Sequence, residues 1–468
     1  MPIVPISLGS SSSNARFGAA GITRHLNCYL EDQSEDAKNP SMVVASDGLA
    51  NFATLADSGG IRAAIEVGAY LVVVAGRLVF RVDSGGGSTL LGGLPTEGPV
   101  YMRTNRRAYP QVGILSQGIF YCVDTQTWAM TQVTDTDLPP STSLAFLDGY
   151  GILSTSRGRF FSTELDDFTN IDPLAFGSAE SDADDIVCIN ERDGEIVVFG
   201  TRTIEWWQDT GDVTFAFTRS QAIHLGCLSA GSVCKVDRTL AWIAHDGTVR
   251  LMDGYDGKRI SDHGVERNIS SVDPSTITST SWARDGHTFL AISAATSTMV
   301  YNLTTGKWHD RESYGSARWD VSCVAKFGNR NIAGSSSAGT LYDMSPAYYD
   351  EAGQPLVMTV QTPPVHAFPL RLQFNALYID IISGVGLNTT TPADLDPMLM
   401  LSWSDNGGKT WGNERRIPLG RLGEYTRRAV TRRLGVTPPG GRIFRISCSA
   451  AVAKALQGLS ADVERLAA

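Results

Sequence analysis

The sequence lacks any long hydrophobic run. No stretch of the 468 residues reaches the roughly 18 uninterrupted apolar residues that a membrane-spanning helix needs. The opening segment, MPIVPISLGSSSSNARFG, has no basic stretch followed by an apolar one, which a secretion signal requires. We therefore expect a soluble, untargeted protein with no membrane partner.

Paired cysteines are missing as well. The seven cysteines stand singly, with no C-x-x-C pair, and their odd total does not suit a full disulfide framework. The seven histidines show no spacing typical of zinc ligands. We expect reduced thiols and no metal site. The residues concerned are Cys28, Cys122, Cys188, Cys227, Cys234, Cys323 and Cys448, with His25, His224, His245, His263, His287, His309 and His366.

The common catalytic motifs are absent too. The sequence has no G-x-x-x-x-G-K phosphate loop, no G-x-S-x-G nucleophile elbow and no H-E-x-x-H metal motif. Two acidic clusters offer carboxylate oxygens but lack the twelve-residue calcium loop with its central glycine, so we interpret them as solvated loops. We predict no enzyme activity, no catalytic residue, no bound cofactor and no metal. The clusters are Glu164, Asp166 and Asp167, and Glu180, Asp182, Asp184 and Asp185.

Charge is sparse and unevenly distributed. Charged residues make up only 19% of the chain and the formal net charge is −10. Residues 411–445 nevertheless hold nine arginines and two acidic residues, a local balance of +7, so the rest of the chain carries −17. The arginines are Arg415, Arg416, Arg421, Arg427, Arg428, Arg432, Arg433, Arg442 and Arg445.

What the sequence does contain is a repeat of forty to fifty residues. Seven pairs of short apolar strands recur, each pair joined by a small polar turn. The first apolar residues of the second strands are spaced by 41, 41, 44, 45, 51 and 41 residues. The pairs lie at residues 70–82, 111–123, 149–163, 195–207, 239–252, 288–303 and 330–344.

This period predicts an all-β fold whose larger part is a β-propeller of six or seven blades. A hairpin every 41 to 51 residues leaves room for two further strands, which completes a four-stranded blade. The 47 glycines suit the many tight turns. Uninterrupted apolar runs such as residues 71–74 fit strands that are covered on both faces. The alternative is a set of β-sandwiches with evenly spaced hairpins.

After residue 350 the texture changes. The proline-rich segments EAGQP and QTPPVHAFP indicate a linker. Strand candidates at 372–382, 397–404 and 441–448 then alternate apolar with polar residues, as in a half-exposed antiparallel sheet. We predict an N-terminal segment, 1–60, that contributes to the platform or to propeller closure, a propeller at 61–350, and a C-terminal β-sandwich platform at 351–468. Helix propensity predicts a helix for the last stretch, AAVAKALQGLSADVERLAA.

One turn motif suggests a different class of propeller. SDNGGKTW at 404–411 resembles the Asp-box of sialidase-like propellers, with Asn406 where that family has aspartate. Asp-boxes are hairpin turns that stabilise a fold and perform no chemistry. With the aromatic pair Trp206 and Trp207, this motif leaves a glycan-binding or sialidase-like propeller as an alternative function. A cellular scaffold for protein partners is a second alternative.

Three segments, taken in order, resemble one known family. They are NCYLED at 27–32 followed by GLANFATL at 48–55, then GTRTIEWWQDTG at 200–211, and finally LMLSWSDNGGKTWGNERRIPLG with TRRAVTRRLG at 399–435. The family is that of the tail hub or nozzle proteins, also called packaged-DNA stabilisation proteins, of short-tailed bacteriophages. The serine-rich opening, Asp47 in place of a proline, and the helix-like tail depart from its pattern.

The resemblance implies a structural protein of the virion tail, assembled in the host cytoplasm. It implies a homo-hexameric ring below the portal and its head-to-tail adaptor, forming the distal tail channel through which viral DNA passes without sequence-specific binding. It also implies attached tail fibres or tailspikes and a tail needle or plug.

The paired arginines are the candidate docking residues. Guanidinium groups suit bidentate, partly buried pairing with carboxylates, so we expect them to dock on an acidic partner, with the adaptor as the partner that the resemblance implies. Contact with nucleic-acid phosphates and a merely solvated charged face are the alternatives. The docking candidates are Arg415, Arg416, Arg427, Arg428, Arg432 and Arg433.

Overall fold

The structure is a computed structural model, and it describes residues 3–14, 16, 21–57, 59–179, 181–182, 184–212 and 215–466. The chain is all-β, with 56% of its residues in strands and 4% in helices. Six strands precede the repeat. They are β1 (Ile3–Ile6), β2 (Ser13–Asn14), β3 (Ile22–Leu26), β4 (Cys28–Asp32), β5 (Ser41–Ala45) and β6 (Gly48–Thr54).

The first four blades follow one another along the chain, each an antiparallel four-stranded sheet. Blade 1 holds β7 (Ile61–Val67), β8 (Tyr70–Ala75), β9 (Leu78–Asp83) and β10 (Ser88–Gly93). Blade 2 holds β11 (Val100–Thr104), β12 (Gln111–Ser116), β13 (Ile119–Asp124) and β14 (Ala129–Gln132). Blade 3 holds β15 (Ser143–Leu147), β16 (Tyr150–Ser154), β17 (Arg159–Glu164) and β18 (Asp167–Ser178). Blade 4 holds β19 (Ile186–Arg192), β20 (Glu195–Gly200), β21 (Ile204–Asp209) and β22 (Phe217–Ile223).

Three more blades complete the ring, so the described part of the chain forms seven. Blade 5 holds β23 (Cys234–Val236), β24 (Thr239–Ile243), β25 (Val249–Asp253) and β26 (Asp256–Arg259), and helix α1 (His263–Ser270) follows it. Blade 6 holds β27 (Thr278–Arg284), β28 (His287–Ala294), β29 (Ser297–Asn302) and β30 (Lys307–Asp310). Blade 7 holds β31 (Val321–Phe327), β32 (Arg330–Ser335) and β33 (Thr340–Ser345), and its fourth strand is β6.

The predicted propeller is confirmed, and the structure resolves the blade count to seven. Each of the seven predicted hairpins forms the second and third strands of a blade. Strand β6 runs antiparallel to β33, with Thr54 opposite Thr340 and Gly48 opposite Ser345. The N-terminal segment therefore closes the ring by completing the last blade.

Burial explains the apolar runs that do not alternate. Residues 71–74 in β8 are all fully buried. Leu71 and Val73 pack into a core shared with blade 7, whereas Val72 and Val74 pack into a core shared with blade 2. Since each blade is covered by a neighbour on both faces, strand residues of both parities must be apolar.

The remaining strands form the predicted β-sandwich. They are β34 (Asp350–Glu351), β35 (Gln354–Pro355), β36 (Met358–Gln361), β37 (Arg371–Ile381), β38 (Met398–Ser404), β39 (Arg415–Pro418), β40 (Ala429–Val436), β41 (Ile443–Cys448) and β42 (Ala455–Leu466), with the short helix α2 (Pro392–Leu395). One sheet has the order β4-β5-β42-β37-β40, with β1 alongside β42. The opposing strands run β3-β36-β41-β38-β39. Phe374, Leu377, Leu401, Phe444 and Leu456 pack between the two layers. The boundaries proposed at residues 60 and 350 stay predictions.

The helix predicted for the last stretch is wrong. Residues 455–466 form β42, which pairs with β37 from Leu466 opposite Arg371 to Leu456 opposite Ile381. Leu456, Leu459 and Ala461 are buried against the sandwich core. Helix propensities differ by less than about 1 kcal/mol per residue, so pairing along a whole strand and burial of its apolar face override them.

The two units share one sheet. Strand β3 pairs with the outer strand of blade 6, Leu26 opposite Asp310, and on its other side with β36. A ten-stranded sheet therefore runs from blade 6 into the sandwich. At this junction Asn27 is buried with φ 53°; its amide donates to the carbonyls of Glu312 (3.0 Å) and Val357 (3.1 Å) and accepts from the Glu312 backbone N–H (3.0 Å).

Replacing Asn27 is expected to destabilise both units together. The change Asn27→Ala leaves two buried carbonyls and one N–H without partners, and alanine also disfavours a positive φ, so the free energy of unfolding should fall by about 2–4 kcal/mol. Urea unfolding measures the change, with Asn329→Ala in an exposed turn of blade 7 as the control. Equal stability of the two variants would contradict this role for Asn27.

The buried His309 is expected to make the protein acid-sensitive. Burial, together with the charges of Arg311 and His25, lowers the pKa of His309 to about 3. An unfolded histidine titrates near 6.5, so between these values the unfolded state binds a proton that the folded state does not. The stability contributed by neutral His309 is therefore present above pH about 6.5 and is lost as the pH falls below it.

The comparison with His309→Gln isolates this effect. Burial raises the pKa of the neighbouring Asp310 carboxyl, which has the opposite pH dependence, so the relevant quantity is the difference between wild type and variant. That difference in unfolding free energy should shrink by about 2 kcal/mol between pH 7 and pH 5. His263→Gln, at a side chain that is 91% exposed, is the control and should leave the slope unchanged. A slope that is identical in wild type and His309→Gln would refute the assignment.

Candidate docking surface

The nine arginines of residues 411–445 all lie on the sandwich. They occupy β39, β40 and β41 and the connections between these strands. Strands β39 and β40 are the end strands of the two opposing layers, so the arginine-rich segment surrounds an open edge of the sandwich. The structure divides the arginines into inward-facing and exposed groups.

Arg442 belongs to the interior. Its side chain is 2% exposed, and its Nε and Nη2 donate to the two carboxylate oxygens of Asp405 at 2.7 and 2.8 Å. Its Nη1 donates to the Leu434 carbonyl at 2.6 Å. Because removing one partner of a buried pair strands the other charge, this contact holds the fold. Arg445 is likewise engaged, with its guanidinium 3.5 Å from the ring centre of Trp411.

Arg415, one of the predicted docking residues, links the two layers. Its Nη1 donates to the Arg432 carbonyl at 2.8 Å and to Thr431 Oγ1 at 3.3 Å, and its Nη2 donates to the Arg433 carbonyl at 3.2 Å. Its guanidinium also lies 4.9 Å from the centre of the Trp403 ring. These contacts position β39 beside β40, and docking through this side chain stays a prediction.

Arg416, Arg432 and Arg433 point outward, and we call them the edge arginines. All three are exposed, and within the described residues their side chains have no ion pair or hydrogen bond. Arg433 has φ 59° beside a register shift in the β37–β40 pairing. Unpaired guanidinium groups held side by side repel one another and favour an acidic partner.

Arg427 and Arg428 lie at one end of the sandwich. Arg427 Nη1 pairs with Glu424 Oε2 at 3.0 Å, whereas Arg428 has no side-chain partner within the described residues. Both border a hollow of about 520 Å³. The other side chains around it include Lys38, Tyr378, Asp380, Ile382, Ser383, Tyr425, Thr426 and Ser460.

Sequence reasoning missed the apolar side chains at this end. Five large apolar or aromatic residues are exposed here, and no periodicity marks them because they come from loops that meet only in the folded chain. A cluster of exposed apolar residues beside arginines is typical of protein interfaces. They are Ile382 (39% exposed), Leu387 (38%), Met398 (37%), Leu422 (63%) and Tyr425 (70%).

The Asp-box-like turn lies in the sandwich, between β38 and β39, and not in the propeller. Ser404 Oγ accepts from the Gly408 N–H at 3.0 Å, and Asn406 Oδ1 accepts from the Thr410 N–H at 2.9 Å. The side chains therefore cap the backbone of the turn, which supports its interpretation as a structural turn.

The acidic clusters also serve as turn caps. Asp184 Oδ2 accepts from the backbone N–H groups of Arg202 (2.7 Å) and Thr203 (3.0 Å), and Asp167 Oδ1 accepts from Thr169 (3.0 Å). Glu180 lies outside the described residues. Over the residues that the structure describes, no group of three or more His, Cys, Asp or Glu side chains is placed to hold a metal ion. All seven cysteines are free thiols, and no described helix is long and apolar enough to cross a membrane.

The central channel of the propeller is bridged by charged side chains. Arg103 on β11 extends to β19, where its Nη2 lies 3.6 Å from Glu191 Oε2 and 3.2 Å from Asn190 Oδ1. Glu191 Oε1 in turn lies 3.1 Å from Lys235 Nζ on β23. These three strands are the innermost strands of blades 2, 4 and 5, so the ion pairs span the channel.

Comparison with solved structures finds other propellers. The crystal structure of the WD40 repeats of RRP9 is 10% identical, covers 64% of this chain and 99% of its own, and has a TM-score of 0.43. The computationally designed Ika8 protein is 16% identical, covers 72% of this chain and 99% of its own, and has a TM-score of 0.40. No curated protein matches.

Two family models match the chain in order and cover most of it. Residues 27–348 match the model described as the bacteriophage P22 Gp10 β-propeller, and residues 362–464 match that of the P22 Gp10 β-sandwich. The matched segments coincide with the seven-bladed ring and the sandwich of the structure, which confirms the resemblance drawn from the sequence. The chain therefore belongs to the bacteriophage P22 Gp10 family, as a structural protein of the phage tail.

Proposed function

We propose that the protein is the nozzle or hub of a short-tailed phage tail, a hexameric ring that forms the distal tail channel, retains the packaged genome and lets DNA leave at ejection. The observation that carries the proposal is the ordered match of both domains to the P22 Gp10 models. In this role the protein is structural and needs no catalytic group, cofactor or metal.

The DNA path lies in the lumen of the ring, beside each propeller. Two observations support this placement. The ion pairs from Arg103 through Glu191 to Lys235 occupy the propeller's own channel. The chain outside residues 411–445 carries −17, and an acidic wall repels phosphate, so DNA slides past without sequence-specific binding.

Docking on the head-to-tail adaptor is assigned to the edge arginines. They are exposed and unpaired within the described residues, and Arg415 holds the strands that carry them. Guanidinium groups form bidentate contacts with carboxylates, so the adaptor surface that receives them is acidic. Fibres or spikes and a needle or plug attach elsewhere on the ring, and assembly takes place in the host cytoplasm, where thiols stay reduced.

The proposed function predicts sixfold rings. Negative-stain electron microscopy and mass photometry of the purified protein, alone and with a portal–adaptor assembly, are expected to show rings in solution or on the adaptor. A protein that stays monomeric and ignores the adaptor would contradict the nozzle assignment, and turnover on a panel of glycosides would then favour the sialidase-like alternative.

Charge reversal at the edge should uncouple docking from folding. The double variant Arg416→Glu/Arg432→Glu is expected to weaken binding to an immobilised portal–adaptor assembly by at least about tenfold, because two attractive contacts become repulsive. The matched control is Arg157→Glu, an exposed arginine in a turn of blade 3, which should bind like wild type. Wild-type affinity of the edge variant would remove these arginines from the interface.

A further inference from the structure

Two loops at one end of the sandwich form a single structured surface, which we call the tip (residues 382–398 and 418–428). Ser383 Oγ donates to the Tyr425 carbonyl at 2.9 Å, and the Gly384 N–H donates to the Leu419 carbonyl at 3.1 Å. Gly384 has φ 71°, and a Cβ there would come within 2.7 Å of the Tyr425 ring. The loops are therefore fixed against each other before any partner binds.

The tip combines exposed apolar side chains with unpaired positive charge. Leu422 and Tyr425 are 63% and 70% exposed, and both lie close to Arg427 and Arg428 in the chain. Leucine and tyrosine anchors next to arginine are typical of the energetic centre of a protein interface. A DNA backbone offers phosphate to the arginines but nothing to the apolar side chains, so the composition favours an acidic protein surface over nucleic acid.

The same chain carries such a surface on its propeller. The turn between the first and second strands holds an aspartate with positive φ in four successive blades, and all these turns lie at one end of the propeller. Glycine or aspartate suits this backbone conformation, yet aspartate also adds charge. All four are exposed. These aspartate turns are Asp148, Asp193, Asp237 and Asp285.

Their charges remain accessible. Asp193 and Asp285 are 60% and 70% exposed in the side chain, each beside the arginine that precedes it at 3.1 and 3.5 Å. Asp237 has no side-chain partner within the described residues. Such exposed pairs contribute little to stability, so the carboxylates can exchange a neighbour for an incoming guanidinium at little cost.

We propose that the tip of one copy docks on the aspartate turns of the next copy. This inference rests on the proposed ring and names the contact that builds it. The two surfaces are complementary in charge and lie on different units of one chain, so pairing them is a head-to-tail contact, which closes into a ring when the rotation between copies allows. Leu422 and Tyr425 supply apolar contact, while Arg427 and Arg428 pair with the carboxylates.

A charge swap tests the pairing directly. The tip variant is Arg427→Glu/Arg428→Glu, and the turn variant is Asp193→Lys/Asp237→Lys. Each variant alone is expected to need at least about tenfold more protein than wild type to form rings, as measured by mass photometry over a concentration series. An equimolar mixture should restore rings of alternating subunits, because every reversed tip then meets a reversed turn and every native tip a native turn.

Matched controls separate this contact from general charge effects. Arg157→Glu and Asp137→Lys place the same reversals on exposed residues at the opposite end of the propeller, and neither these variants nor their mixture should differ from wild type. Tyr425→Ala removes the apolar anchor without changing charge and should also weaken ring formation. Thermal melting of each variant identifies a misfolded protein, and the Tyr425→Ala result then decides the matter.

The outcomes separate this inference from the function on which it rests. Rings from either charge variant at wild-type concentration, or no recovery in the mixture, would overturn the proposed contact while leaving the nozzle role intact. Loss of binding to a 30-base-pair DNA duplex with unchanged rings would assign the tip to nucleic acid instead, and would also overturn it. Wild-type protein that forms no ring alone or on the adaptor would sink the function itself.

Discussion

Closure of the propeller depends on a single strand contributed by the N-terminal segment. Without β6, blade 7 would expose the unpaired backbone groups of β33 and leave apolar residues such as Leu341 and Met344 without part of their cover. The same segment supplies β3, β4 and β5 to the sandwich layers a few residues earlier. Ring closure and sandwich formation are therefore parts of one folding event, since neither is complete until this segment is in place.

A buried polar network fixes where that segment crosses between the units. Arg311 is 1% exposed and donates to the Asp47 carbonyl at 2.6 Å, with Glu351 Oε1 at 3.4 Å. Trp319 donates its indole N–H to the same Glu351 oxygen at 3.1 Å, and the guanidinium lies 4.1 Å from the centre of the Trp319 ring. Burying this charge is favourable only when all its partners are present, so the network specifies one arrangement of blade, linker and N-terminal segment.

The parts that sequence predicted are those set by local contacts. The hairpins of the blades pair residues close in the chain, so turn chemistry and period were enough to find all seven. The seventh blade could not be counted from the period alone because its fourth strand, β6, precedes the repeat. The strand at 455–466 was missed because its pairing with β37 spans about eighty residues, while its local propensity favours a helix.

The candidate site shows the same division. Clustering of arginines in the sequence located the docking surface, but only packing distinguishes Arg415 and Arg442, which hold the sandwich together, from the exposed Arg416 and Arg432. The apolar side chains of the tip were invisible because Ile382 and Tyr425 lie about forty residues apart and meet through loop contacts.

The sheet shared by blade 6 and the sandwich has a mechanical consequence. Ten strands joined edge to edge leave no flexible linker between the two units, and hydrogen bonds within a sheet resist shear collectively. A subunit built in this way transmits torque from the propeller rim to the sandwich as a stiff lever. Any widening of a channel made from such subunits must come from sliding between neighbours, since the subunit itself offers no hinge.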